Sequence, residues 1–75
     1  MENDQIRQLR EAVALSPDNI PLRTALAEAL LGFGLTGEAV TEYRQALARR
    51  PDDHELKLGL GRAFHADGKT GQALV

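Results

Sequence analysis

Hydrophobic residues recur at intervals of three and four positions along the chain, which is the spacing of one face of an α-helix. No window alternates hydrophobic and polar residues with the period of two that a half-buried strand requires. Alanine and leucine, which are both good helix formers, supply 23 of the 75 residues. The pattern therefore predicts an all-α protein.

Short polar residues, prolines and glycines divide this pattern into four helices and the start of a fifth. A short polar side chain can begin a helix because it accepts a hydrogen bond from a free amide of the first turn. The expected starts are Asn3 or Asp4, Asp18 or Asn19, Thr36, Asp52 and Thr70. Glu55 follows Asp52 by three residues, the spacing of a capping box. The expected ends are Ser16-Pro17, Gly34, Pro51 and Gly68.

The hydrophobic positions of each helix predict its buried face. In the first two helices these positions are Ile6, Leu9, Val13, Leu22, Leu26, Ala29, Leu30 and Phe33. In the third and fourth helices they are Ala39, Val40, Tyr43, Ala46, Leu47, Leu56, Leu60, Ala63 and Phe64. We expect these side chains to form one core between paired helices.

The chain repeats itself with a period of 34 residues. When residues 1–41 are aligned with residues 35–75, 12 of the 41 pairs are identical. The identical pairs include Pro17/Pro51, Leu22/Leu56, Leu26/Leu60, Gly34/Gly68 and Thr36/Thr70. Such a period is typical of arrays built from stacked helical hairpins.

One complete repeat resembles a tetratricopeptide repeat, a helix-turn-helix unit of about 34 residues. Its residues at the positions that characterise this family are Leu26, Ala27, Leu30, Ala39, Tyr43, Ala46 and Pro51. The next repeat begins the same series with Leu60, Gly61, Phe64 and Ala73. The resemblance implies antiparallel helix-turn-helix repeats in a right-handed superhelical stack.

Residue size at the helix pairs supports this resemblance, with one departure. Small residues are expected to let paired helices approach closely, and they are Ala27, Ala39, Ala46, Gly59 and Gly61. Arg23 and Lys57 stand where many members of the family have tryptophan or leucine. We expect slightly looser packing between repeats at those two positions.

The repeat assigns residues 1–75 to a single domain. Residues 1–16 correspond to the second helix of a partial repeat, residues 17–50 to one full hairpin, and residues 51–75 to a first helix with a truncated second one. The chain thus begins and ends within a repeat. Because such arrays usually need about three repeats, we expect the natural protein to continue beyond Val75, with this chain as its N-terminal part.

Composition and charge narrow the classes of function. The chain has no cysteine, two histidines, and a formal net charge of −2. It therefore lacks the basic excess of a nucleic-acid-binding surface. No hydrophobic run approaches the roughly 20 residues that span a bilayer. We expect a cytoplasmic protein that binds neither nucleic acid nor membrane and needs no metal or cofactor.

No group of residues has the spacing of a catalytic site, so we expect no enzymatic activity. Gly68-Lys69-Thr70 is similar to the end of a nucleotide-binding P-loop, but Ala63 stands where that loop needs a glycine. His54 has acidic neighbours at a helix start, and these neighbours do not converge on one point. One basic cluster is formed by three arginines, Arg44, Arg49 and Arg50. It is either a solvated helix end or a contact for an acidic partner.

The resemblance implies a binding groove along the first helix of each repeat. In this family those helices line a concave surface that holds a peptide. The positions on this face are Thr24, Glu28 and Leu31 in one repeat and Leu58, Arg62 and His65 in the next. The implied function is a non-catalytic protein–protein interaction module, or scaffold, that binds a peptide segment. The alternative interpretation of this face is a solvent-exposed surface with one ion pair, Glu28 to Arg62.

A second hypothesis is structural. The chain would then be the N-terminal oligomerisation or assembly region of a larger multidomain protein, for instance an enzyme. The unfinished last hairpin motivates this hypothesis, because it is expected to leave hydrophobic side chains partly uncovered. These candidates for self-association are Leu56, Leu60, Phe64 and Leu74, which a second copy of the chain could cover.

Overall fold

A computed structural model describes residues 3–68, which form four α-helices and contain no strand. Helix α1 spans Asp4–Leu15, α2 spans Ile20–Gly32, α3 spans Thr36–Arg49 and α4 spans His54–Asp67. Each helix packs against the next one along the chain. The all-α prediction is confirmed. The expected fifth helix from Thr70 lies outside the described residues.

Three of the four helices begin at a side-chain cap. The Asn3 carboxamide oxygen accepts from the Gln5 amide at 2.7 Å, and that of Asn19 accepts from Leu22 at 3.1 Å. The Asp53 carboxylate accepts from the amide of Leu56 at 3.0 Å. These bonds satisfy amides that have no partner within the helix.

Two predicted helix starts are wrong in detail. Thr36 is already the first helical residue, and Leu35 precedes it without a side-chain hydrogen bond. The Thr36 hydroxyl instead donates to the Asp67 carboxylate at 2.8 Å, which ties the start of α3 to the end of α4. The fourth helix is capped by Asp53 rather than Asp52, so Glu55 lies one residue too early for a capping box.

Gly34 follows the end of α2 as predicted, and it adopts the left-handed conformation with a φ of +83°. The turn carries Phe33 away from the core, because α2 ends at Gly32, and the Phe33 side chain is 55% exposed. The prediction that Phe33 is a core residue is therefore wrong. Gly68 follows α4 with a φ of −61°, so it does not form the same left-handed turn.

One continuous core runs between the helices. Its buried hydrophobic residues are Ile6, Val13, Ile20, Leu26, Ala27, Leu30, Ala39, Val40, Tyr43, Ala46, Leu56 and Ala63. The alanines Ala27, Ala39 and Ala46 are fully buried. Their short side chains let neighbouring helices approach closely, as predicted. Phe64 is 44% exposed, so its assignment to the core is wrong.

Arg23 is buried within the hairpin of α2 and α3. Its guanidinium donates to the Glu42 carboxylate at 2.9 Å, to the Gln45 carboxamide oxygen at 3.2 Å and to the carbonyl of Pro17 at 3.2 Å. A buried charge needs such partners, since desolvation otherwise costs several kcal/mol. Arg23 therefore links the two helices of one hairpin, and the expected looser packing between repeats stays a prediction.

The first helices of the two hairpins lie closer together than the second helices. Some Cα atoms of α2 and α4 lie within 8 Å of each other, whereas no Cα of α1 lies within 8 Å of a Cα of α3. The link between α1 and α3 is an ion pair from Arg10 to Glu38. The closer spacing of α2 and α4 makes their side the inner side of the stack. The right-handed superhelix stays a prediction.

Tyr43 packs its ring directly against the backbone of α4 at Gly59. A Cβ at this glycine would lie 2.3 Å from Cε1 of the ring and 2.9 Å from its hydroxyl oxygen. Real Cβ atoms do not approach other atoms so closely, so position 59 accommodates only glycine while the ring stays in place. The predicted close approach is confirmed at Gly59. It is wrong at Gly61, where a Cβ would have no atom within 4 Å.

Two glycine-to-alanine substitutions in α4 test this contact. Gly61→Ala should raise the free energy of unfolding by about 1 kcal/mol, because alanine favours a helix interior over glycine. Gly59→Ala gains the same helix propensity but displaces the Tyr43 ring, so it should lower that free energy by about 1–3 kcal/mol. Urea unfolding followed by circular dichroism measures both values. Equal effects at the two positions would contradict the packing described here.

Candidate functional site

A cavity of about 370 Å³ opens on the inner side between α2 and α4. Its lining residues are Thr24, Glu28, Tyr43, Glu55, Leu58 and Arg62. Its volume lies within the range of about 300–1,000 Å³ that is common for ligand sites. The structure thus brings together, around one cavity, four of the six residues predicted to line a groove.

The neighbouring cavities extend this depression along α2. One of about 350 Å³ shares Thr24, Glu28 and Glu55 with the first cavity. Another, of about 300 Å³, is lined by Glu28, Leu31, Gly32, Tyr43 and Arg62. Glu28 borders all of these cavities, so they form a continuous trough rather than separate pockets.

The remaining two predicted groove residues behave differently. Leu31 borders the trough, but it is half-buried and also packs against the core. Leu31 therefore contributes to the packing of the core as well as to the trough. His65 is exposed in the last turn of α4 and lines none of the cavities described above.

Glu28 and Arg62 face the same cavity without forming a salt bridge with each other. The expected ion pair across the repeats is thus not made. Both side chains are largely exposed, and neither makes an ion pair with another described residue. The cavity therefore presents an anionic and a cationic group whose charges are both available to a ligand.

The Tyr43 hydroxyl lies near both of these charges. Tyr43 is 1% exposed, and its hydroxyl oxygen has no hydrogen-bond partner of normal geometry among the described residues. Burial raises the pKa of Tyr43 above its usual range, and the negative charge of Glu28 raises it further. The positive charge of Arg62 and its hydrogen-bonding contact with the hydroxyl offset part of this increase in the pKa. The hydroxyl consequently keeps its proton at physiological pH and can donate a hydrogen bond.

Sequence reasoning missed two residues of this cavity, Tyr43 and Glu55. Tyr43 belongs to a hydrophobic stripe, and that position indicates the core alone. The sequence contains one signal for Tyr43, which is a paired change between the repeats. The preceding repeat has Leu9 and Ala25, whereas the aligned positions hold the larger Tyr43 and the smaller Gly59. Glu55 was interpreted as part of a cap, although its side chain lines the cavity.

The structure separates the basic cluster into different contacts. Arg44 stacks on the ring of Phe64, 5.1 Å from its centroid. Arg49, at the end of α3, forms an ion pair with Asp18, which lies in the turn between α1 and α2. Arg50 borders the second cavity. All three arginines are exposed, and a contact of this cluster with an acidic partner stays a prediction.

The candidates for self-association also lie in different environments. Leu56 is buried in the core rather than partly uncovered. Leu60 is half-buried, and Phe64 is partly covered by Arg44. Leu74 lies outside the described residues.

The acidic residues near His54 have structural positions. Asp53 caps α4, and His54 itself is an exposed first-turn residue. Across residues 3–68, no three histidine or acidic side chains are grouped closely enough to hold a metal ion. Within the same span, no helix is long and hydrophobic enough to cross a membrane.

A family model described as tetratricopeptide repeat matches residues 21–63, which is more than half of the chain. The chain belongs to the tetratricopeptide repeat family. No curated protein and no solved structure matches the chain significantly. Tetratricopeptide repeats are typically non-catalytic modules that bind protein partners, and the matched region contains the whole lining of the first cavity.

The raised pKa of Tyr43 predicts a loss of stability at alkaline pH. The unfolded tyrosine ionises near pH 10. Because the folded state holds this proton more tightly, stability is complete below pH 10 and falls as the pH rises towards the folded-state pKa. Tyr43 is the only tyrosine and the chain has no tryptophan, so near-ultraviolet absorbance reports its ionisation directly.

The matched control for this titration is Tyr43→Phe, which retains the ring over Gly59. The variant should lose the part of the alkaline destabilisation that begins near pH 10. At neutral pH it should be as stable as the original chain or more stable by about 1 kcal/mol, because it removes an unpartnered buried hydroxyl. A folded chain whose Tyr43 ionises at the ordinary pKa would contradict the assigned burial.

Proposed function

We propose that this tetratricopeptide repeat binds a peptide segment of a partner protein in the trough between α2 and α4, without catalysing a reaction. The observation that carries this proposal is the cavity around Glu28, Leu58 and Arg62. It combines an exposed hydrophobic side chain with two charges that make no ion pair with the described residues.

The shape of the stack supports an extended occupant. The cavities adjoin one another along α2, so a ligand can contact several of them only if it runs along the helix. Leu58 is 54% exposed on this side, although burial of a leucine is worth about 1.5–3 kcal/mol. A peptide with a hydrophobic side chain near a polar or charged one matches this surface.

The assembly hypothesis is the weaker of the two. It needs a continuous hydrophobic surface on α4, and Leu56 is buried while Arg44 covers part of Phe64. Leu60, the remaining described candidate, is itself half-buried against the core. The trough, by contrast, offers shape and charge together.

Selection of random peptides displayed on phage tests the proposal. The folded 75-residue chain serves as bait, and the selected peptides are then synthesised and titrated. The double variant Leu58→Glu/Arg62→Glu should weaken their binding by about tenfold or more, which corresponds to about 1.4 kcal/mol. Both side chains are exposed, so the variant should retain its helical circular dichroism.

The matched control is Ala48→Glu/Lys57→Glu. It replaces one hydrophobic and one cationic exposed residue by glutamate, so its change in net charge is the same. Neither residue lines the cavities described above. The control should retain the affinity of the original chain. Equal binding by the two double variants would reject the trough as the peptide site.

A further inference from the structure

The buried hydroxyl of Tyr43 is poorly satisfied within the fold. Its oxygen makes no hydrogen bond of normal geometry with the described residues, although Arg62 lies beside it, and a buried polar group without a good partner costs about 1–3 kcal/mol. The packing against Gly59 needs only the ring. A phenylalanine would fill the same space without that cost, so the hydroxyl at this position calls for a ligand.

The groups around Tyr43 restrict the chemistry of such a ligand. Arg62 and the Tyr43 hydroxyl are hydrogen-bond donors, whereas Glu28 and Glu55 are acceptors on the same cavity. A carboxylate would be attracted by Arg62 but repelled by both glutamates. A cation would be attracted by the glutamates but repelled by Arg62. A neutral group that accepts and donates at once avoids both penalties.

A primary carboxamide has this combination. Its oxygen has two lone pairs, one for each donor, and its nitrogen carries two hydrogens, one for each glutamate. A main-chain amide has a single N–H and would leave one glutamate without a partner. Leu58, on the rim of the same cavity, can contact the methylene groups of a glutamine or asparagine side chain.

We propose that the Tyr43 hydroxyl, with Arg62, Glu28 and Glu55, recognises the side-chain carboxamide of a glutamine or asparagine in the bound peptide. The proposal rests on the peptide-binding function proposed above and assigns the residue type that the first cavity receives. Arg62 is exposed and makes no ion pair with the described residues, so the proposal requires its side chain to turn from the Tyr43 hydroxyl towards the ligand.

Peptides selected by the original chain provide the test. We expect glutamine or asparagine to be enriched at one position of these peptides, and the enrichment to disappear when Tyr43→Phe is the bait. For one selected peptide, replacement of that glutamine by methionine should raise the Kd about tenfold with the original chain. With Tyr43→Phe, the same replacement should change the Kd much less.

A second hydroxyl deletion provides the control. Thr41 lies on α3 as Tyr43 does, but its hydroxyl is exposed and bonded to the carbonyl of Gly37. Thr41→Val should therefore bind the glutamine peptide like the original chain. Unchanged binding by Tyr43→Phe would overturn the inference, as would enrichment of lysine, arginine, aspartate or glutamate at that position. If no peptide distinguishes the original chain from Leu58→Glu/Arg62→Glu, the proposed function itself fails, and the inference fails with it.

Discussion

The contact between the Tyr43 ring and the backbone at Gly59 determines how α4 joins the preceding hairpin. The equivalent residues one repeat earlier are Leu9 and Ala25, which line one cavity together where α1 meets α2. At the second junction the larger aromatic residue is matched by the smaller glycine. Each junction thus pairs a large residue with a small one, and the increase from leucine to tyrosine is accompanied by a decrease from alanine to glycine.

The same contact produces the candidate site. With no side chain at Gly59, the Tyr43 ring can extend towards the inner surface, and its hydroxyl lies beside Glu28 and Arg62. The fold thus carries a buried polar group at a cost in stability, next to charges that it does not pair. Unpaired polar groups of this kind are typical of binding sites, because the ligand supplies the missing partners.

The sequence predicts the helices well because their signals are local. Proline at 17 and 51 and glycine at 34 each restrict the backbone at a single position, so the helix ends follow directly from residue type. The period of 34 residues then indicates the pairing of the helices. The hydrogen bonds of Arg23 were not predictable, because its partners Glu42 and Gln45 are distant in sequence and only the folded hairpin brings them together.

The candidate site was predictable in part, for a related reason. The helical period identifies the face that carries Thr24 and Glu28, and it identifies Leu58 and Arg62 one repeat later. It cannot show that a core residue of α3 also reaches this face, since that depends on the space left by a glycine on another helix. The position of Tyr43 in the site therefore follows from the packing of α3 against α4 and not from the helical period.

The most direct test of this account is a double-mutant cycle on the free energy of unfolding, with Tyr43→Leu and Gly59→Ala. The double variant reproduces the leucine and alanine of the preceding junction. We predict that Gly59→Ala destabilises the chain when Tyr43 is present and has no cost, or a small gain, when leucine replaces it. The coupling should amount to about 1–3 kcal/mol. An equal cost of the alanine in both backgrounds would show that Tyr43 does not depend on Gly59 and would contradict the account.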